Sequence, residues 1–152
     1  MFKKLFFVIL IFCLFNTPII SEELSDGLYS KKYALVIGIN KYSGAFHQLE
    51  YAVSDAQAIT ETLQKRGFSV KTLIDEQATK ENIIRYLQRI RLIAEKDDLI
   101  IMYFSGHGHT ALNAKREEQG YLIPFGHKSA VDMEDALSME IFKEIADTRR
   151  NN

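Results

Sequence analysis

The sequence predicts an α/β fold in which a mainly parallel sheet carries helices on its faces. Three observations support that expectation. Apolar segments alternate in the order strand, helix, strand, helix, strand, as successive βαβ units do. Two of the strands, Tyr33–Ile39 and Leu99–Phe104, are unbroken apolar runs, the pattern of strands covered on both faces. The second run leads straight into Ser105-Gly106-His107-Gly108-His109, a turn that sets a titratable imidazole at the carboxyl end of a central parallel strand. Open α/β sheets bind their ligands at that edge.

Bulk properties fit one soluble domain. The chain has 152 residues, 47% of them hydrophobic and 26% charged. A formal net charge of −1, with charges scattered along the chain, argues against a nucleic-acid partner, which requires a clustered basic surface. The single cysteine, Cys13, rules out an intrachain disulfide, so the core depends on apolar burial.

Residues 1–21 read as a segment apart from the fold. Lys3 and Lys4 precede eleven apolar residues, Leu5 to Phe15, and Asn16-Thr17-Pro18 breaks the run. That is the layout of a signal peptide or N-terminal anchor, too short for a comfortable membrane span of about 20 residues. A lipoprotein with an acylated Cys13 is disfavoured by the bulky Phe12 before it. Export or membrane tethering is the expectation. Without Lys3 and Lys4 the balance is 17 basic to 20 acidic residues, a net charge of −3. Residues 22–32 are polar and read as a linker.

From there each element has a local reason. Tyr33–Ile39 is the first strand and residues 40–48 a loop. Leu49, Ala52, Val53, Ala56, Ile59 and Leu63 recur at helical spacing up to Arg66, with Ser54 and Asp55 as caps and Gly67 as the residue past the end. Phe68–Ile74 alternates, as a strand with one exposed face does. A second helix begins near Thr79, capped through Thr79-x-x-Asn82, and buries Ile83, Ile84, Leu87, Ile90, Leu92 and Ile93. After Leu99–Phe104 the chain loosens. Residues 110–119 read as a loop, and Gly120–Phe125 as a short extended piece whose Pro124 confines it to an edge or strand end. Leu137, Ile141 and Ile145 mark a third helix up to residue 148, before a frayed tail at 149–152.

Four motifs in this order carry a resemblance. Tyr33-Ala34-Leu35-Val36-Ile37-Gly38-Ile39-Asn40, then Leu49-x-x-Ala52-x-x-Asp55-Ala56, then Tyr103-Phe104-Ser105-Gly106-His107-Gly108, then Gly120-Tyr121-Leu122-Ile123-Pro124 are similar to caspase-like cysteine peptidases. Bacterial relatives of metacaspases are the nearest in pattern, and residues 33–148 form the domain concerned. The resemblance implies the three-layer α/β/α caspase-like fold and a Cys-His dyad acting on a peptide or protein substrate. His107 would be the catalytic histidine. The Gly108 amide would serve the oxyanion hole. Asp55 matches the aspartate that receives a basic residue before the scissile bond, although it reads equally as a helix-start residue. The second aspartate that metacaspases usually carry beside the cysteine is not found. No cofactor is expected from these residues; the resemblance makes calcium dependence possible, and nothing in the sequence shows it.

The pattern departs from the family at the nucleophile. In caspases the cysteine follows the histidine by about 50 residues, whereas none of the 45 residues after His107 is cysteine. The expectation is a domain incomplete on its C-terminal side, holding the base without the thiol and inactive alone. The strand ending at His107 would show an unpaired edge, to be covered by a missing C-terminal half or by a homodimer. The alternative is a non-catalytic pseudo-peptidase that binds peptides or partners beside His107. A metal held by His107-x-His109 with His47 or His127 would need three or four convergent ligands, which the spacing does not supply, so no metal is expected. Gly106 and Gly108 complete no G-x-G-x-x-G, against nucleotide binding.

Overall fold

In the computed structural model, which describes residues 29–113 and 115–142, the apolar run of β1 (Lys32–Gly38) forms the middle of a parallel sheet. β2 (Ser69–Ile74) and β3 (Leu99–Ser105) flank it in the order β2-β1-β3. Helix α1 (Ala52–Lys65) connects β1 to β2, and helix α2 (Lys80–Ile93) connects β2 to β3. The expected α/β architecture with a parallel sheet is therefore present.

Strand periodicity explains how one run serves two layers. Ala34 and Val36 pack with Ala56 and Leu63 of α1, while Leu35, Ile37 and the following Ile39 pack with Ile83, Leu87 and Ile90 of α2. Each such buried Leu or Ile contributes about 1.5–3 kcal/mol. At Gly38 α1 packs directly on the backbone: a Cβ there would lie 2.5 Å from the Ala52 carbonyl oxygen and 2.6 Å from the Ala56 Cβ.

Helix ends follow their signals in part. Thr79 accepts a hydrogen bond from the Asn82 N–H at 3.3 Å, as expected. Gly67 adopts φ +79° just past α1. Helix α1 starts at Ala52 rather than Leu49, and Ser54 and Asp55 lie inside its first turn instead of capping it. The Ser54 hydroxyl turns back to donate to the Tyr51 carbonyl. In the last turn of α2, Leu92 is 85% exposed although Ile90 is buried, because at about 100° per residue it lies half a turn round the helix from Ile83, on the face opposite the sheet.

Three further expectations change. β3 is not central: among the described residues it lies at the sheet edge, and Leu99, Ile101 and Met102 are only half-buried. The polar stretch at 110–119 is not a free loop. β4 (Gly108–Leu112) and β5 (Glu118–Leu122) pair antiparallel across it, and β5 pairs in turn with β6 (Leu137–Ser138). Leu122 and Leu137 anchor these strands in the core while the other positions stay exposed or half-buried, so their polar composition concealed them. Leu137, expected to open a helix, therefore lies in a strand, and a helical turn begins only at Glu140. The expected helix beyond residue 142, the leader at 1–21 and the tail at 149–152 lie outside the described residues. Among the described residues no helix is long and apolar enough to cross a membrane.

Candidate active site

The parallel register brings two loops to one edge. Gly38 pairs with Ser105, and the Ile39 N–H donates to the Ser105 carbonyl at 3.0 Å, so the chain after β1 and the turn after β3 leave the sheet side by side. Asp75, at φ 45° just beyond β2, stiffens the first of these loops. Its Oδ1 accepts from the Asn40 N–H at 2.8 Å and the Lys41 N–H at 3.0 Å. Asn40 then caps α1 from outside the helix, its Oδ1 accepting from the Val53 N–H at 3.2 Å. That is the role expected of Ser54 and Asp55.

The loop fixed in this way carries Tyr42, Phe46 and His47 against His107. The imidazole is 3% exposed. Its ring centre lies 4.6 Å from that of Tyr42, 5.5 Å from Phe46 and 4.7 Å from His47. Its Nε2 lies 2.8 Å from the His47 carbonyl oxygen. A carbonyl can only accept, so Nε2 carries the proton and the neutral ring keeps its lone pair on Nδ1. The backbone is held as firmly: the His107 N–H donates to the Tyr42 hydroxyl at 3.0 Å, and the His107 carbonyl accepts from the Ile123 N–H at 2.9 Å.

The bond between Ile123 and His107 continues the β4–β5 ladder by one rung. Hydrogen-bonded and non-bonded pairs alternate along an antiparallel ladder. The Gly108–Leu122 pair is then non-bonded, and the Gly108 N–H points away from β5. Asp55 sits half-buried in the first turn of α1, at the same edge of the sheet. Burial and then the Asp55 charge raise the Tyr103 phenol above its ordinary range, which sets Asp55 near the end of β3. No hydrogen bond or ring contact joins Asp55 to His107 among the described residues.

All four histidines gather around Phe46 and His107. His109 lies 6.2 Å and His127 5.9 Å from Phe46, ring centre to ring centre. The His127 Nε2 is engaged by the Ser129 carbonyl at 2.6 Å. Among the described residues no three His, Cys, Asp or Glu side chains converge as a metal site.

Burial is the main influence on His107; it pulls the imidazole below its ordinary value against the opposing pull of the His47 carbonyl. An unfolded chain protonates this histidine near its ordinary pKa of about 6.5, whereas the folded ring resists until lower pH. The contribution to stability is complete above that pH and is lost as the pH falls from there through the folded value. The Tm of the wild type is expected to fall more steeply between about pH 7 and pH 5 than that of His107→Gln. Parallel curves for the two proteins would remove His107 from the acid response.

A parallel sheet between helices, with a neutral histidine presented at its carboxyl edge beside a glycine amide, defines a caspase-like peptidase domain. The comparisons agree. The sequence profile of the caspase domain matches residues 31–146, and the chain belongs to that family. It is 32% identical to metacaspase-1 of Debaryomyces hansenii over 99 residues, 59% of this chain and 22% of that protein. It is 35% identical to metacaspase-2 of Trypanosoma brucei brucei over 86 residues, 49% of this chain and 24% of that one. A third relative, inactive metacaspase-4 of Trypanosoma brucei brucei, is 34% identical over 55% of this chain and 26% of its own length. The matches span about a quarter of these relatives. The crystal structure of protein GSU0716 from Geobacter sulfurreducens superposes with a TM-score of 0.64 at 21% identity, covering 76% of this chain and 44% of that one, a likeness of fold.

Tyr42, Phe46, His47 and Asp75 had no assigned place at the site from sequence, apart from His47 as a candidate ligand. A lone Tyr or Asp in a loop carries no period, and only Gly106 hinted that something must approach closely.

Proposed function

We propose that residues 31–146 are the histidine-bearing part of a caspase-type cysteine endopeptidase whose thiol comes from polypeptide outside the described residues. The observation that carries this reading is the His107 Nε2–H held on the His47 carbonyl, which leaves the Nδ1 lone pair as a base. In this scheme Nδ1 takes the thiol proton, and the thiolate sulfur bonds to the scissile carbonyl carbon. The π electrons move to oxygen, where the Gly108 N–H donates to the oxyanion. As the oxyanion collapses, the C–N bond breaks and the imidazolium returns the proton to the leaving amine. Water then hydrolyses the thioester and restores the thiol. The His47 carbonyl supports the imidazolium while it exists.

Asp55 is proposed to receive an arginine or lysine side chain before the scissile bond, a charge-assisted pairing. The edge of β3 is the proposed seat of the missing strand, from a C-terminal half or a second copy. The basic-apolar leader at residues 1–21 supports a place outside the cytoplasm or tethered to a membrane.

The test is complementation. The chain is purified alone and together with the cysteine-bearing half of a metacaspase, then assayed on arginine-ending and aspartate-ending peptides. Alone it is expected to cleave neither; the pair is expected to cleave the arginine-ending peptide, with Asp55→Asn lowering that rate about 10-fold or more. Failure of the pair on both peptides would refute the peptidase reading. A second reading is favoured by one observation, the burial of the His107 imidazole, only 3% exposed. It makes the domain a non-catalytic peptide binder, and saturable binding of uncleaved peptide by the chain alone would support it.

A further inference from the structure

We propose that Tyr42 is a positioning residue for the His107 imidazole, its hydroxyl inserted into the β4–β5 ladder where a direct bond from His107 to Ile123 would otherwise form. The inference rests on the reading of His107 as the base. Gly108 pairs with Leu122, so the next rung joins His107 to Ile123. Half of that rung is regular: the Ile123 N–H donates to the His107 carbonyl at 2.9 Å. The other half is not. The His107 N–H donates to the Tyr42 hydroxyl at 3.0 Å, and that hydroxyl donates to the Ile123 carbonyl at 3.0 Å. A side-chain hydroxyl thus replaces a backbone contact of about 2.9 Å and holds one side of the rung open.

Two further features fit this arrangement. Gly106 leaves space for the hydroxyl: a Cβ at that position would lie 2.4 Å from the Tyr42 Oη. The Tyr42 ring, 6% exposed overall, stands edge-on to the imidazole at an interplanar angle of 69°. The backbone of His107 is thereby held away from β5 and toward the loop that offers the His47 carbonyl. Without the hydroxyl the rung closes to a direct bond, draws His107 toward β5 and takes Nε2–H off that carbonyl.

The test reads the imidazole itself. Long-range proton–nitrogen NMR of the 152-residue chain is expected to show His107 as one tautomer, with the proton on Nε2. Tyr42→Phe keeps the ring and deletes both hydrogen bonds. It is expected to give averaged ring-nitrogen signals and a titration midpoint moved up toward the ordinary histidine value. A Tyr42→Phe protein that folds and melts lower, with His107 signals and midpoint unchanged, would reduce Tyr42 to packing and overturn the proposal. A wild type with mixed tautomers would overturn it as well. Should Tyr42→Phe not fold, Gly106→Ala displaces the hydroxyl instead: averaged signals and a raised midpoint uphold the proposal, and an unchanged imidazole overturns it. No cysteine or substrate is needed, so a shifted imidazole together with failed complementation would uphold Tyr42 and refute the peptidase reading alone.

Discussion

Replacing His107 by alanine is expected to lower kcat/KM of the complemented domain on an arginine-ending peptide by about 10²–10⁴-fold, the usual contribution of a positioned acid–base group. The loss belongs in kcat. The imidazole is buried among Tyr42, Phe46 and the His47 carbonyl, so its binding contacts are to its own protein, and removing it costs proton transfer more than substrate affinity. His107→Gln sharpens the test, since an amide nitrogen can still donate to His47 but offers no basic lone pair. Both variants are expected to retain the fold and lose the rate. If His107→Gln kept kcat within a few-fold of wild type, the base would have to be another group.

Changing Gly38 to valine is expected to destabilise the domain by about 3 kcal/mol or more, as severe overpacking does, and to lower Tm by roughly 10 °C. The position admits no side chain: the added Cβ would meet the Ala52 carbonyl oxygen at 2.5 Å and the Ala56 Cβ at 2.6 Å. Both belong to α1, whose Ala56 and Leu63 pack on the same face of β1, so relief requires the whole helix to lift from the sheet. The same shift would move Val53 off Asn40 and disturb the loop that presents Tyr42 and His47. Thermal melting by circular dichroism measures the loss, and a Tm within about 2 °C of wild type would show that α1 docks more loosely than these distances imply.

Much of the fold was legible because burial in regular structure repeats along the chain. The unbroken run at 33–39 announced a doubly covered strand, and β1 is that strand, with alternate residues in two cores. Thr79 and Gly67 marked helix ends through local chemistry that needs no distant partner. What failed also had a common cause. Polar residues 110–119 hid a hairpin because its pairing is made by the backbone, which is the same in every residue. Leu92 was apolar but stands on the opposite side of α2 from Ile83, Leu87 and Ile90, so composition suggested a burial that helix geometry denies.

By itself, then, the sequence determined the alternation of strands and helices, the parallel sheet, and a histidine at its carboxyl edge between two glycines. Tertiary structure alone decided what that histidine is: a neutral ring with its proton on Nε2, held by a carbonyl 60 residues away and by a hydroxyl 65 residues away that also reaches a second backbone carbonyl, 81 residues from its own tyrosine. The reason is physical. Burial periods are local and repeat along a chain, whereas a hydrogen bond between loops depends on where two separate crossings of the sheet happen to end.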